Sequence, residues 1–163
     1  PADATGPGAK DDRLLARSNP PGPFAELYKA GKISLELVPQ GTLAQRMQAA
    51  GAGMPAFFTA TAVGTPLAKG REHRRIKGRT YVLEDAIHGD VGLVEAWQAD
   101  RWGNLTYRRA GRNFNPVMAM AASLTIAQAQ HMVPLGEIDP DHIVTPGIFV
   151  NRVLHVPYGD PPF

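Results

Sequence analysis

Residues 32–53 read KISLELVPQGTLAQRMQAAGAG, and this stretch decides the fold class. Its first residues alternate: Ile33, Leu35 and Leu37 stand against Lys32, Ser34 and Glu36, the period-2 pattern of a strand (32–38) with one buried face. Pro39, Gln40 and Gly41 break the pattern. Thr42 and Gln45 then have the T-x-x-Q spacing of a capping box, which predicts a helix over LAQRMQAA closed by Gly51, with Leu43, Met47 and Ala50 on one face. A strand, a short loop, a helix and a glycine-rich loop form a unit of α/β domains, where ligands sit outside the carboxyl ends of strands. Gln40 and the turn at 51–55 are therefore the first candidates for a functional site.

Upstream, Pro23 stands where a first helical residue would, FAELYKA follows, and Gly31 supplies the stop. Residues 1–23 are small, polar and rich in proline and glycine, with no apolar period. They are expected to be irregular or non-native, leaving 24–163 as the domain. Downstream, EHRRI and TYVLE flank Lys77, Gly78 and Arg79 as a hairpin, and VGLVEAW (91–97) reads as a buried strand. Residues 100–104 turn the chain into LTYRR. Asn115 and Pro116 give a cap-plus-first-turn signal for a small-residue helix, VMAMAAS. LTIAQAQHMV and NRVLHV are further strands. Strands and helices alternate without internal repeat, which predicts an α/β fold with an open mixed or parallel sheet covered by helices.

Composition narrows the function classes. A chain of 163 residues, 44% hydrophobic and 20% charged, fits one soluble domain with a real core. A formal charge of +2 is too small to argue for nucleic acid. Zero cysteines exclude disulfides, thiolate metal sites and cysteine nucleophiles. The longest apolar run, 117–122, is too short to cross a bilayer, and no export signal opens the chain, so a cytoplasmic protein without membrane partners is expected. His73, His88, His131, His142 and His155 never fall at metal-ligand spacing, so no metal is expected. No G-x-S-x-G elbow occurs. The glutamates at 26, 36, 72, 84, 95 and 137 are scattered, several on strand faces that should be solvated, and none stands out as a nucleophile.

Three features carry possible chemistry. The Gln40 amide offers two donors and an acceptor, enough to hold a carboxylate or a thioester carbonyl; capping the following loop is the plainer role. The loop from Gly51 to Phe58 matches no phosphate-binding pattern. Its glycines could let backbone N–H groups approach a ligand while Phe57 and Phe58 exclude water, but a helix stop and core packing account for the same residues. Residues 69–79 hold six Lys or Arg and one Glu, which favours a charged, solvated hairpin edge over a phosphate site.

Longer blocks of sequence are more specific. ISLELVPQGTLAQRMQAAGAGMPAFFTATAVGT, GRTYVLE, AWQADRWGNLTYR, RNFNPVMAMAA and LGEIDPDHIVTPGIFV follow one another in an order that resembles the A subunits of family I CoA-transferases, over nearly all of 24–153. LYKAGKISLEL, DRWGNLTYR and TPGIFVNRV are most similar to the 3-oxoadipate (β-ketoadipate) succinyl-CoA transferase type, with acetoacetate-type enzymes close behind. The resemblance implies a Rossmann-like fold and ping-pong transfer of CoA between succinyl-CoA and a 3-oxoacid. The nucleophilic glutamate would lie in an E-N-G motif of a partner B subunit, within a heterodimer or heterotetramer; no E-N-G occurs here. Coenzyme A would be a substrate rather than a resident cofactor. Gln40 matches the family's pocket glutamine, and Gly53, Phe57 and Phe58 match the wall near the reacting acyl group, as substrate-binding positions. The family's opening strand, G-G-F-G loop and S-N-N-x-G segment have no match, so an N-terminally truncated subunit is expected, with a shortened, non-catalytic one as the alternative.

Overall fold

The computed structural model describes residues 23–157; the expectation for residues 1–22 lies outside them. The chain divides into two units, residues 1–37 and 38–163. In the first, α1 (Pro23–Lys29) forms where the proline and glycine signals place it. Phe24 and Tyr28, one turn apart, stack their rings at 6.4 Å. Gly31 ends the helix at φ 66°, its N–H bonding to the Tyr28 carbonyl at 3.0 Å while the Lys32 N–H reaches that of Leu27 at 2.9 Å. A residue with a Cβ is strained at that φ.

The strand expected at 32–38 is not formed. Ile33 and Leu35 are half-buried and Ser34 and Glu36 exposed, but Leu37 is exposed too, so the alternation holds only as far as residue 36, and residues 34–39 have no regular structure. A strand exists through hydrogen bonds to a neighbour, and among the described residues none pairs with this segment.

In the second unit, α2 spans Gln40–Gly51, starting three residues earlier than the capping box implies. Pro39 is the N-cap, no side chain caps the helix, and Thr42 is buried within the first turn. Gly51 is the last helical residue rather than the stop; the left-handed residue is Gly53, at φ 71°. Gly51 instead allows close approach, because a Cβ there would lie 2.5 Å from the Met120 Cβ. The buried face of α2 is Thr42, Arg46, Ala49 and Ala50, while Leu43 and Met47 are only half-buried. Arg46 takes the inward position because its Nε donates to the Asp85 carbonyl at 2.7 Å.

Three strands, β1 (Ala56–Thr59), β2 (His73–Ile76) and β3 (Arg79–Asp85), form an antiparallel sheet in the order β1-β3-β2. The expected hairpin is present, with a two-residue loop: Lys77 at φ 47° and Gly78 at φ 82° make the turn whose twist suits paired strands. All four residues of β2 are exposed.

The second sheet contains β4 (Gly89–Ala99), β5 (Leu105–Thr106), β6 (Ala122–Met132) and β7 (Arg152–His155), in the order β5-β4-β6-β7. β4, β6 and β7 run parallel and β5 antiparallel, which makes this the expected open, mixed sheet. Between β4 and β6 lies α3 (Asn115–Ala121), which packs against β4. Met118 and Ala122 come so close to Gly92 that a Cβ there would lie 2.8 Å from the Ala122 Cβ. The core consists of Val94, Ala96, Ala99, Leu105, Ala119, Ala127 and Ala129. Its alanines permit this close helix-on-sheet spacing.

Two expectations in this sheet need correction. β4 is not buried on both faces: Val94 and Ala96 point inward while Val91, Leu93 and Glu95 are exposed. Asn115 does not cap α3, where Phe114 holds that position. Its amide binds the β4 backbone, with Nδ2 donating to the Glu95 carbonyl at 3.1 Å and Oδ1 accepting the Glu95 N–H at 3.4 Å. The side chain thus satisfies a stretch of strand that β5 is too short to reach.

Candidate functional site

Gln40, the first candidate, is exposed at the amino end of α2. Helix amino ends carry partial positive charge and unpaired N–H groups, so an amide placed there faces a field suited to carboxylate or thioester oxygens. Gly53 follows the other end of the same helix, about 16 Å along its axis for eleven residue steps. The Gly53 N–H bonds to the Ala50 carbonyl at 3.0 Å, and nothing lies within 4 Å of the position a Cβ would take. This loop is therefore open to an approaching molecule.

Phe57 and Phe58 lie on β1, opposite Glu84 and Leu83 of β3. Neighbouring strand residues point to opposite faces, so the two rings do not line one wall. The Arg74 guanidinium covers the Phe58 ring, 4.6 Å from its centroid. Beneath these elements an ionic cluster joins α2 to β3. Glu84, 2% exposed, accepts from Arg71 Nη1 at 2.7 Å and lies 3.9 Å from Arg46 Nε. The structure thus does not gather the four expected residues: Gln40 stands at one end of α2, Gly53 follows the other, and Phe57 and Phe58 face opposite sides of β1.

A hollow of about 590 Å³ lies elsewhere, lined by Trp97, Tyr107, Arg108, Gln130 and His131. Trp97, Gln130 and His131 stand near the carboxyl ends of the parallel strands β4 and β6. The Arg108 guanidinium sits 4.6 Å from the Trp97 ring centre, and the His131 ring meets the same indole edge-on at 4.3 Å. Tyr107 shares a 2.7 Å hydrogen bond with the Thr145 hydroxyl. Burial pushes the Tyr107 phenol above its usual value, and the Thr145 bond partly opposes that rise. Sequence reasoning singles out none of these residues for function. They come from two strands and the segment after β5, so no local spacing joins them; the only signal is the strand-end rule for α/β ligand sites.

Among the described residues no three His, Asp or Glu side chains gather as a metal-ligand group, and no helix is long and apolar enough to cross a membrane.

Comparison with known proteins places this architecture. The family model for coenzyme A transferases matches residues 10–155, and the chain belongs to that family. It is 62% identical over 133 residues to the A subunit of the 3-oxoadipate CoA-transferase of Pseudomonas putida, a match covering 82% of this chain and 58% of that protein. It is 56% identical over 131 residues to the A subunit of a probable succinyl-CoA:3-ketoacid coenzyme A transferase of Bacillus subtilis, covering 80% of this chain and 55% of the relative. The chain thus spans little more than half the length of these relatives. Among solved structures, an acyl-CoA transferase of Escherichia coli O157:H7 superposes with a TM-score of 0.71 at 24% identity, covering 82% of this chain and 30% of that one. That likeness concerns the fold alone.

Proposed function

We propose that this chain is part of the A subunit of a heteromeric CoA-transferase that moves CoA from succinyl-CoA to a 3-oxoacid, with 3-oxoadipate as the favoured acceptor. The observation that carries this reading is the 62% identity to a protein named as the A subunit of a 3-oxoadipate CoA-transferase. In the proposed reaction the succinyl-CoA carbonyl is attacked by a glutamate carboxylate of the B subunit, giving a mixed anhydride and CoA thiolate. The thiolate then attacks the glutamyl carbonyl and releases succinate, leaving CoA as a glutamyl thioester. The 3-oxoacid repeats both steps in reverse order. Gln40 would donate its amide N–H to the carbonyl oxygen as negative charge develops there, aided by the amino end of α2. Gly53 would border the elongated acyl-CoA further along, with one of the Phe57 and Phe58 rings beside it, since the two face opposite sides of β1.

The similarity to a probable succinyl-CoA:3-ketoacid enzyme favours a second reading, in which the acceptor is an acetoacetate-type acid. Turnover with each acid separates the two.

The decisive experiment supplies succinyl-CoA to this chain paired with a B subunit, then traps the thioester with borohydride or hydroxylamine. Modification is expected on the partner; modification of this chain would overturn the assignment. Gln40→Ala in the complex is expected to lower kcat by about 10²–10³-fold, the usual loss for one donor to a developing oxyanion. Undiminished turnover would remove Gln40 from the site. No transferase activity in the assembled complex would instead favour a shortened, non-catalytic subunit.

A further inference from the structure

The middle of α2 is stitched to the end of β3 by contacts that the proposed chemistry does not use. Arg46, on the buried side of the helix, donates through Nε to the Asp85 carbonyl at 2.7 Å, and its own carbonyl accepts the Ile87 N–H at 3.1 Å. The same guanidinium lies 3.9 Å from the buried Glu84 carboxylate, which Arg71 also holds at 2.7 Å. Between Asp85 and Ile87, the Ala86 N–H bonds to the Pro55 carbonyl at 2.9 Å, which ties this stretch to the residue before β1 as well. The carboxyl end of α2 is held separately, by the close approach of Gly51 to Met120. At the amino end no side chain caps the helix, and Gln40 is exposed. Gln40 lies six residues before Arg46, about 9 Å along the axis, so the setting of the Arg46 contacts is passed directly to it.

Buried charges are not kept for stability alone, because apolar residues of similar volume often serve a fold as well or better. What a guanidinium adds is direction: its planar fork meets a carbonyl and a carboxylate together in only one orientation. The rest of the buried face of α2 is Thr42, Ala49 and Ala50, small side chains that form shallow ridges and resist sliding along the axis only weakly. We infer that Arg46 is a positioning residue. Braced by Glu84, it fixes the axial and rotational setting of α2, so that the Gln40 amide stands at hydrogen-bond distance from the thioester carbonyl. The inference rests on the role proposed for Gln40 above. Misplacing a reacting or stabilising group by about 1 Å costs about 10²-fold in rate, so a side chain remote from the chemistry carries a large effect.

Arg46→Met tests this, since methionine fills much of the same space and Glu84 retains Arg71. In the complex with a B subunit, kcat per active site is expected to fall by about tenfold or more while KM for succinyl-CoA stays within about twofold. Arg46→Met added to Gln40→Ala should slow the enzyme by no more than about twofold further, because Arg46 acts through Gln40. A merely structural role would lower the number of active sites, and its effect would multiply with that of Gln40→Ala. Arg46→Lys keeps a cation beside Glu84 without the planar fork; it should show the same pattern at smaller size, and it replaces Arg46→Met should that variant fail to assemble. A second readout needs no turnover. Spin labels are attached at Gln40→Cys and Thr80→Cys in the full chain, which has no cysteine of its own. The parent should give one narrow distance distribution by pulsed electron resonance, and Arg46→Met a broadened or displaced one. Unchanged distances overturn the inference, and so does an unchanged kcat in Arg46→Met when Gln40→Ala is impaired. A parent complex without turnover, or one indifferent to Gln40→Ala, overturns the proposed role of Gln40 instead, and the distances then decide alone whether Arg46 sets α2.

Discussion

Glu84 and Asp100 are the two carboxylates with the least exposure among the described residues, and each is held differently. Glu84 pairs with Arg71 and Arg46, so its charge is met by two guanidinium groups. Asp100 is met by dipoles: Oδ1 accepts the N–H groups of Trp102 and Asn104 at 2.9 and 3.0 Å, and Oδ2 accepts the Asn104 amide at 2.8 Å. Asn104 Oδ1 in turn accepts the Gly147 N–H at 2.9 Å, which ties the β4–β5 turn to the loop before β7. A buried carboxylate is costly unless paired, and so are its partners once it is removed. Glu84→Ala is therefore expected to lower the free energy of unfolding by about 3–5 kcal/mol, read from urea titration. A loss below about 1 kcal/mol would show that Arg71 and Arg46 find water instead. Glu84 is legible in the sequence only as one of six scattered glutamates; its burial depends on β3 lying beneath α2, which no local pattern records.

Among the elements, those built from local chemistry are the most legible. The hairpin rests on Lys77 and Gly78 between alternating strands, and α1 on Pro23 and Gly31; all of these signals lie within a few residues of what they cause. The segment 32–38 misleads because alternation shows which face a strand would bury but not whether a neighbour exists to pair with it. The inward face of α2 misleads because Arg46, polar by composition, is drawn inside by its bond to the Asp85 carbonyl and its approach to Glu84. Gly51 likewise has its role set by Met120, 69 residues on. Gly51→Ala would force a Cβ to within 2.5 Å of the Met120 Cβ, so α2 and α3 would have to separate. A cost of about 1–3 kcal/mol is expected despite the gain in helix propensity, measured by thermal melting. An unchanged or raised Tm would show that the two helices can part freely.

For the molecule as a whole, the family is legible from ordered sequence blocks, and the mixed sheet from the alternation of elements. The hollow is not, because Trp97, Tyr107 and His131 converge only once β4, β5 and β6 are assembled. Its titrating phenol has a global consequence. Burial raises the Tyr107 pKa in the folded chain, while the unfolded chain has the ordinary value of about 10. A raised pKa means that the unfolded state loses its proton first. The contribution of Tyr107 is therefore complete below about pH 10 and is lost as pH rises through the higher folded value. Denaturant titrations should show a steeper loss of stability above pH 10 in the parent than in Tyr107→Phe; identical slopes would argue against the burial. The β2 border has a different consequence. Arg74 and Arg75 lie along the exposed strand β2, so a foreign strand meets positive charge before it can settle into register. Crowded molecules repel one another along that rim, and fibril growth is discouraged there until added salt shortens the reach of the repulsion.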